Sequence, residues 1–140
     1  MKTYFLYARK SSESEDRQVL SIDSQIKELQ ELAKRQKIKI VEILTESKSA
    51  KAPGRPIFGE LVQRINNGEA QGVICWKLDR LARNAVDGGS IIWLVKDLGI
   101  EIITPSQTYS HISENSFMMY IEFGMAQKFI DDLEKTLSAV

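Results

Sequence analysis

Two periodicities alternate along this chain, one of strands and one of helices. Residues 3–8, with the apolar run Tyr4-Phe5-Leu6-Tyr7, read as a first strand. From Ser21 onward, Ile22, Ile26, Leu29 and Ala33 recur at helical spacing, which predicts a helix capped by Ser21 and running to about Gln36. A second strand follows at Ile38 to Leu44. Thr45 to Arg55 is polar and aperiodic, and is expected to be a mobile loop. Pro56 suits a first helical position, Phe58, Leu61, Val62 and Ile65 form one face of that short helix, and Gly68 closes it. Val73 to Trp76 reads as a third strand and runs into a charged turn. Next comes a helix with Asn84 as candidate N-cap, Asp87 three residues on, Ile91, Leu94, Val95 and Leu98 as its buried face, and Gly99 as its end. Ile100 to Thr104 is a fourth strand. Strands and helices alternating at this spacing predict an α/β fold, with a mostly parallel four- to five-stranded sheet and helices on both faces.

The last segment breaks the pattern. After the loop Pro105 to Ser113, ten of the fourteen residues from Phe117 to Ile130 are apolar. A helix lying on one sheet needs about half that density, so a helix here is expected to be buried on two sides, against its own domain and against another chain. The methionines Met118, Met119 and Met125 suit a surface that repacks. The division expected is therefore a core at 1–113 and the start of a long C-terminal oligomerisation helix at 114–140.

Composition narrows the class without fixing it. The chain has 140 residues, 43% hydrophobic and 27% charged, which suits one globular domain. No apolar run approaches the roughly 20 residues that span a bilayer, and no signal peptide is legible, so no membrane partner and a cytoplasmic location are expected. The single cysteine, Cys75, lies in an apolar strand and reads as a small core residue. Nineteen basic residues balance nineteen acidic ones, so the chain lacks the basic excess of a free-standing DNA binder. Residues 1–60 hold 12 Lys/Arg against 9 Asp/Glu, whereas 101–140 hold 2 against 6. If DNA is a partner, most of the affinity should come from elsewhere.

Candidate chemistry lies where strands end. Tyr7-Ala8-Arg9-Lys10-Ser11-Ser12 sets an arginine two residues from a serine hydroxyl, just where the first strand emerges. Alone, it reads as well as a solvated turn or a helix-capping serine. The second stretch is Trp76-Lys77-Leu78-Asp79-Arg80-Leu81-Ala82-Arg83-Asn84, in which Arg80 and Arg83 share one face of a helical turn while Leu78 and Leu81 anchor the other. The lone histidine, His111, has no link in sequence to Ser11, which argues against a Ser-His-Asp hydrolase and against a histidine metal site. No G-x-x-x-x-G-K-[ST] loop is present. Arginine is the available tool: its planar fork binds two phosphate oxygens, stays charged, and stabilises charge growing on a pentacoordinate transition state.

Four motifs in order carry a resemblance. Tyr7-x-Arg9-x-Ser11, Ser21-x-x-x-Gln25, Gly54-Arg55-Pro56 and Leu78-Asp79-Arg80-Leu81-x-Arg83 resemble the catalytic domain of the serine recombinases, the superfamily of resolvases, invertases and large serine integrases, over nearly the whole chain. The resemblance implies a site-specific DNA recombinase, of the large integrase or transposase type, in which Ser11 attacks a DNA phosphodiester to give a 5′-phosphoserine and a free 3′ hydroxyl. It implies that Arg9, Arg80 and Arg83 hold the phosphate, and that Arg55 swings in from its loop to complete the site. Religation then needs no ATP, no cofactor is implied, and metal is not chemically required. The partners implied are double-stranded DNA and further copies of the chain, as a homodimer or homotetramer joined through the C-terminal helix, with a DNA-binding region following this domain.

Other positions stay open on sequence grounds. Asp79 is an orienter of arginines, a proton-transfer group or an N-cap of its turn; Gln25 is a site ligand or a surface polar residue. Tyr7 is expected to shape the pocket rather than react, and Ser12 is the rival hydroxyl that the Tyr-x-Arg-x-Ser register sets aside. Glu13, Glu15 and Asp16 are expected to face solvent or pair with Arg17. One departure stands out: small members of the family carry a Glu-Arg pair after an Ala-Gln step, where this chain has Lys128-Phe129-Ile130 after Ala126-Gln127. The alternative function is a non-catalytic dimerisation or regulatory module on the same fold.

Overall fold

A computed structural model describes residues 2–9, 21–47, 54–82 and 85–110, without the side chains of Asp79 and Ala85. The elements are β1 (Thr3–Arg9), α1 (Ile22–Arg35), β2 (Lys39–Glu46), α2 (Pro56–Asn66), β3 (Gly72–Cys75), α3 (Leu78–Leu81), α4 (Ala85–Asp97), β4 (Glu101–Ile103) and β5 (Thr108–Tyr109). They build a five-stranded sheet of order β2-β1-β3-β4-β5, parallel except for the last pair. The expected mostly parallel sheet is the one observed.

Alternation along β1 sorts the core into two layers. Tyr4, Leu6 and Ala8 pack with Ile74 and Ile103 beneath Leu29, Leu32 and Ala33 of α1. Phe5 and Tyr7 point the other way, into the larger cluster formed with Phe58, Leu61 and Ile65 of α2 and Ile91, Leu94 and Val95 of α4. This two-sided covering follows from the strand order: the β1-to-β2 crossover moves one way across the sheet and the later crossovers move the other way.

Helix ends follow the local signals. Ser21 caps α1, its hydroxyl accepting from Ser24 N at 3.2 Å. Gly68 closes α2 with φ of +84°, and the flanking bonds Glu69 N to Arg64 O and Gly68 N to Ile65 O form a Schellman motif. α1 closes in the same way but with Lys37 in the left-handed position, where Ile38 N donates to Ala33 O at 2.9 Å.

Three elements differ from the sequence expectation. Leu98 is 41% exposed rather than buried, because α4 stops at Asp97 and Ile100 takes the interior place, its N–H donating to Leu94 O. β2 runs two residues beyond Leu44 and so takes Thr45 and Glu46 out of the expected loop, of which 48–53 lie outside the described residues. β5 occupies part of the expected loop after Pro105. Its hairpin is set by Thr104, whose Oγ1 accepts from Gln107 N at 3.1 Å around Pro105, a side-chain turn that hydrophobic periodicity does not register. The C-terminal helix expected at 114–140 lies outside the described residues.

At the other end of the strands, Gly72 lets β3 pass close to its neighbours. A Cβ there would overlap the Glu101 carbonyl oxygen and the Tyr4 ring, whose hydroxyl donates to the Glu101 carboxylate. Gly72→Ala is accordingly expected to lower unfolding free energy by about 1–3 kcal/mol in urea titration, and an unchanged midpoint would contradict this packing.

A register shift marks the β1–β2 ladder. Tyr4 pairs with Ile40 and Phe5 with Glu42, leaving Val41 as an extra residue in the outer strand.

Candidate active site at the strand ends

β1 and β3 are adjacent, yet the chain leaves β1 toward β2 and β3 toward β4. Their carboxyl ends therefore flank the point where an open α/β sheet leaves a crevice. Arg9 is the last residue of β1, on the same face as Tyr7, and is 0% exposed. Its Nε donates to the carbonyl oxygen of Arg80 at 3.1 Å. Arg80, 2% exposed, sits in the single turn α3, which the buried Leu78 and Leu81 anchor as their spacing predicts. Gln25, in the first turn of α1, is buried rather than a surface residue, and its Nε2 lies 3.4 Å from the Arg9 carbonyl oxygen.

Arg55 is the centre of a second cluster. It is 3% exposed and occupies the N-cap position of α2. Its Nη1 donates to the Tyr7 hydroxyl at 2.9 Å, and its Nη2 to the Leu81 carbonyl and to Asp87 Oδ2, the latter at 3.0 Å. The guanidinium stacks 4.1 Å from the Phe58 ring centroid. Tyr7 in turn donates to Glu46 Oε1 at 2.5 Å. Burial, reinforced by the Glu46 carboxylate, pushes the Tyr7 hydroxyl far above the ordinary tyrosine range. At neutral pH it is a protonated donor rather than a nucleophilic phenolate.

Glu46 also accepts from Ile57 N at 3.0 Å and Phe58 N at 3.1 Å, the first free N–H groups of α2. Arg55 supplies no capping side-chain bond, so a carboxylate from β2 caps this helix from a distance.

The structure thus brings Tyr7, Arg9, Gln25, Arg55 and Arg80 to one end of the sheet. Ser11 and Arg83 lie outside the described residues, as do the side chain of Asp79 and the loop residues Ser12, Glu13, Glu15, Asp16 and Arg17. Arg55 stands differently from the sequence expectation: it is already interior, with Tyr7, Leu81 and Asp87 around it. Glu46 and Asp87 are the partners sequence reasoning missed. Asp87 reads locally as a capping-box acid, and Glu46 as the end of a strand; only the tertiary fold joins them to Arg55. Among the described residues no cluster of three or more His, Cys, Asp or Glu side chains is placed to hold a metal, and no helix is long and apolar enough to cross a membrane.

A mostly parallel sheet with three buried arginines, Arg9, Arg55 and Arg80, at the carboxyl ends of its strands defines the class of α/β domain. The chain belongs to the family described as Resolvase, N terminal domain, whose model its residues 4–136 match. No curated protein matches the sequence. Among solved structures, the N-terminal catalytic domain of TP901-1 integrase is similar at 27% identity and a TM-score of 0.70, over 95% of this chain and 99% of that one. A serine recombinase from Sulfolobus solfataricus is also 27% identical, with a TM-score of 0.52 over 75% of this chain and 70% of that one. A resolvase family site-specific recombinase from Streptococcus pneumoniae shares the fold at 23% identity, with a TM-score of 0.74 over 99% of this chain and 95% of that one.

Proposed function

We propose that this domain catalyses site-specific DNA recombination through a serine nucleophile. The Ser11 Oγ attacks the scissile phosphorus, the P–O3′ bond breaks, and the 3′ oxygen leaves as a hydroxyl while the 5′ phosphate stays esterified to Ser11. The serine Oγ loses its proton and the 3′ oxygen gains one. Arg9, Arg80 and Arg83 hold the non-bridging oxygens as charge grows on them, and Asp79 orients the arginines or moves the proton. Religation reverses the same steps, with the phosphodiester energy held in the serine ester. The substrate is duplex DNA, and strand exchange takes place within a homodimer or homotetramer to which residues 114–140 contribute.

The observation that carries this reading is the bond from Arg9 Nε to the Arg80 carbonyl. It ties the end of β1, two residues before Ser11 in sequence, to the turn that bears Arg80, three residues before Arg83 in sequence. The test is a covalent-adduct assay on the full recombinase with DNA carrying its recombination sites. A protein–DNA adduct through a 5′ phosphate is expected, lost in Ser11→Ala and kept in Ser12→Ala. An adduct that survives Ser11→Ala removes Ser11 as the nucleophile.

A further inference from the structure

We propose that Asp87 is a positioning residue for the arginine turn, acting through Arg55 on the carbonyl of Leu81. The inference rests on the reading of that turn as a phosphate-holding element.

α3 is four residues long, too short to hold its own geometry. Ala82 N to Leu78 O is the one bond of α-helical spacing across it among the described residues. Beside the buried Leu78 and Leu81, the turn is held by its last carbonyls, groups that a helix C-terminus leaves without partners of its own. Two consecutive carbonyls are gripped by guanidinium groups from other elements: Arg80 O by Arg9 Nε, and Leu81 O by Arg55 Nη2. Arg80 belongs to this backbone, so the placement of the turn sets that of its guanidinium.

The second grip depends on how Arg55 is aimed. The nitrogen that donates to Leu81 O is the same Nη2 that meets Asp87 Oδ2 at 3.0 Å. Its neighbour Nη1 is held by Tyr7, which Glu46 anchors, and Phe58 lies against the guanidinium plane. Charge-assisted bonds are strong in so buried a setting, and the Arg55 and Asp87 side chains are 1% and 9% exposed. The Glu46 carboxylate is engaged with Tyr7, Ile57 and Phe58. Among the described residues Asp87 is therefore the carboxylate that meets the Arg55 charge directly. It can do so because α4 is fixed against the sheet by Ile91, Leu94 and Val95.

Losing the Asp87 charge frees Arg55 to turn away from Leu81, and the arginine turn loses its tie at the Leu81 carbonyl. A displacement on the order of 1 Å in a phosphate-holding group slows chemistry on the order of 10²-fold. DNA affinity, supplied by other contacts, is not expected to follow.

The test compares wild-type and Asp87→Asn full recombinase in single-turnover cleavage at saturating site DNA. The variant is expected to form the Ser11 adduct on the order of 10²-fold more slowly, with the half-saturating DNA concentration unchanged. The loss should be strongly non-additive with Arg55→Lys, since both variants break one linkage. Wild-type cleavage by folded Asp87→Asn, or independent effects of the two substitutions, overturns the proposal. In either case the adduct assay on Ser11→Ala decides separately whether Ser11 is the nucleophile. If Asp87→Asn does not fold, NMR of the arginine side chains in the wild-type domain decides: hindered rotation with separate Arg55 Nη signals supports the linkage, and averaged signals overturn it.

Discussion

Arg9→Lys is expected to cut the rate of DNA cleavage on the order of 10²–10³-fold while leaving the charge at that position intact. Two losses combine. The lysine ammonium is a point charge that cannot present the flat pair of donors a phosphate accepts from a guanidinium. It also has no group equivalent to the Nε that holds the Arg80 carbonyl at 3.1 Å, so the change loosens Arg80, the second of the arginines proposed to hold the phosphate, together with the first. Single-turnover cleavage with the full recombinase reads the effect, and a urea titration of the same variant separates it from unfolding. Cleavage that stays at the wild-type rate in a folded variant would remove Arg9 from the site.

Glu46→Ala is expected to be the most damaging stability change among the described residues, lowering unfolding free energy by about 3–5 kcal/mol. The carboxylate is buried and accepts three hydrogen bonds, from the Tyr7 hydroxyl and from the N–H groups of Ile57 and Phe58. Alanine removes the cap of α2 and leaves Tyr7 without its acceptor beside the Arg55 cation. Glu46→Gln should fall between the two, because its amide keeps one acceptor but points donors at other donors. Equilibrium denaturation of the domain measures both, and a loss below about 1 kcal/mol for the alanine variant, the net worth of a single ordinary hydrogen bond, would show that the cap is dispensable.

The parts of this site legible in the sequence are those set by local rules. Tyr7-x-Arg9 places two side chains on one face of a strand because strands have a period of two, and the structure puts Tyr7 toward α2 and α4, with Arg9 on that same face. Leu78 and Leu81 predict the anchored side of the arginine turn, and both are buried. Ser21 and Pro56 mark helix starts for reasons contained within one turn of chain. The parts that were not legible depend on partners distant in sequence. Arg55 looks like a loop residue from its neighbours Gly54 and Pro56; its interior position comes from Tyr7, Leu81 and Asp87, at sequence separations of 48, 26 and 32. Glu46 caps a helix that begins at Pro56, across a loop that hides the relation. Asp87 fits a local capping pattern well enough to conceal its role as counter-ion. The roles read for Ser11, Arg83 and the Asp79 carboxylate, and the apolar segment 117–130, fall outside the described residues and rest on the motifs and on the experiments above.

The extra residue at Val41 bears on how the protein behaves when concentrated. Among the described residues β2 is the outer margin of the sheet, eight residues long, with Val41 40% exposed and Ile43 37% exposed, the kind of border onto which a neighbouring molecule can add a strand. The shift between Ile40 and Glu42 breaks the even spacing of backbone donors and acceptors along that border, and the flanking Lys39 and Glu42 place charge on it. A straight ribbon from another molecule finds no continuous match there, which guards the domain against polymerising through its own sheet.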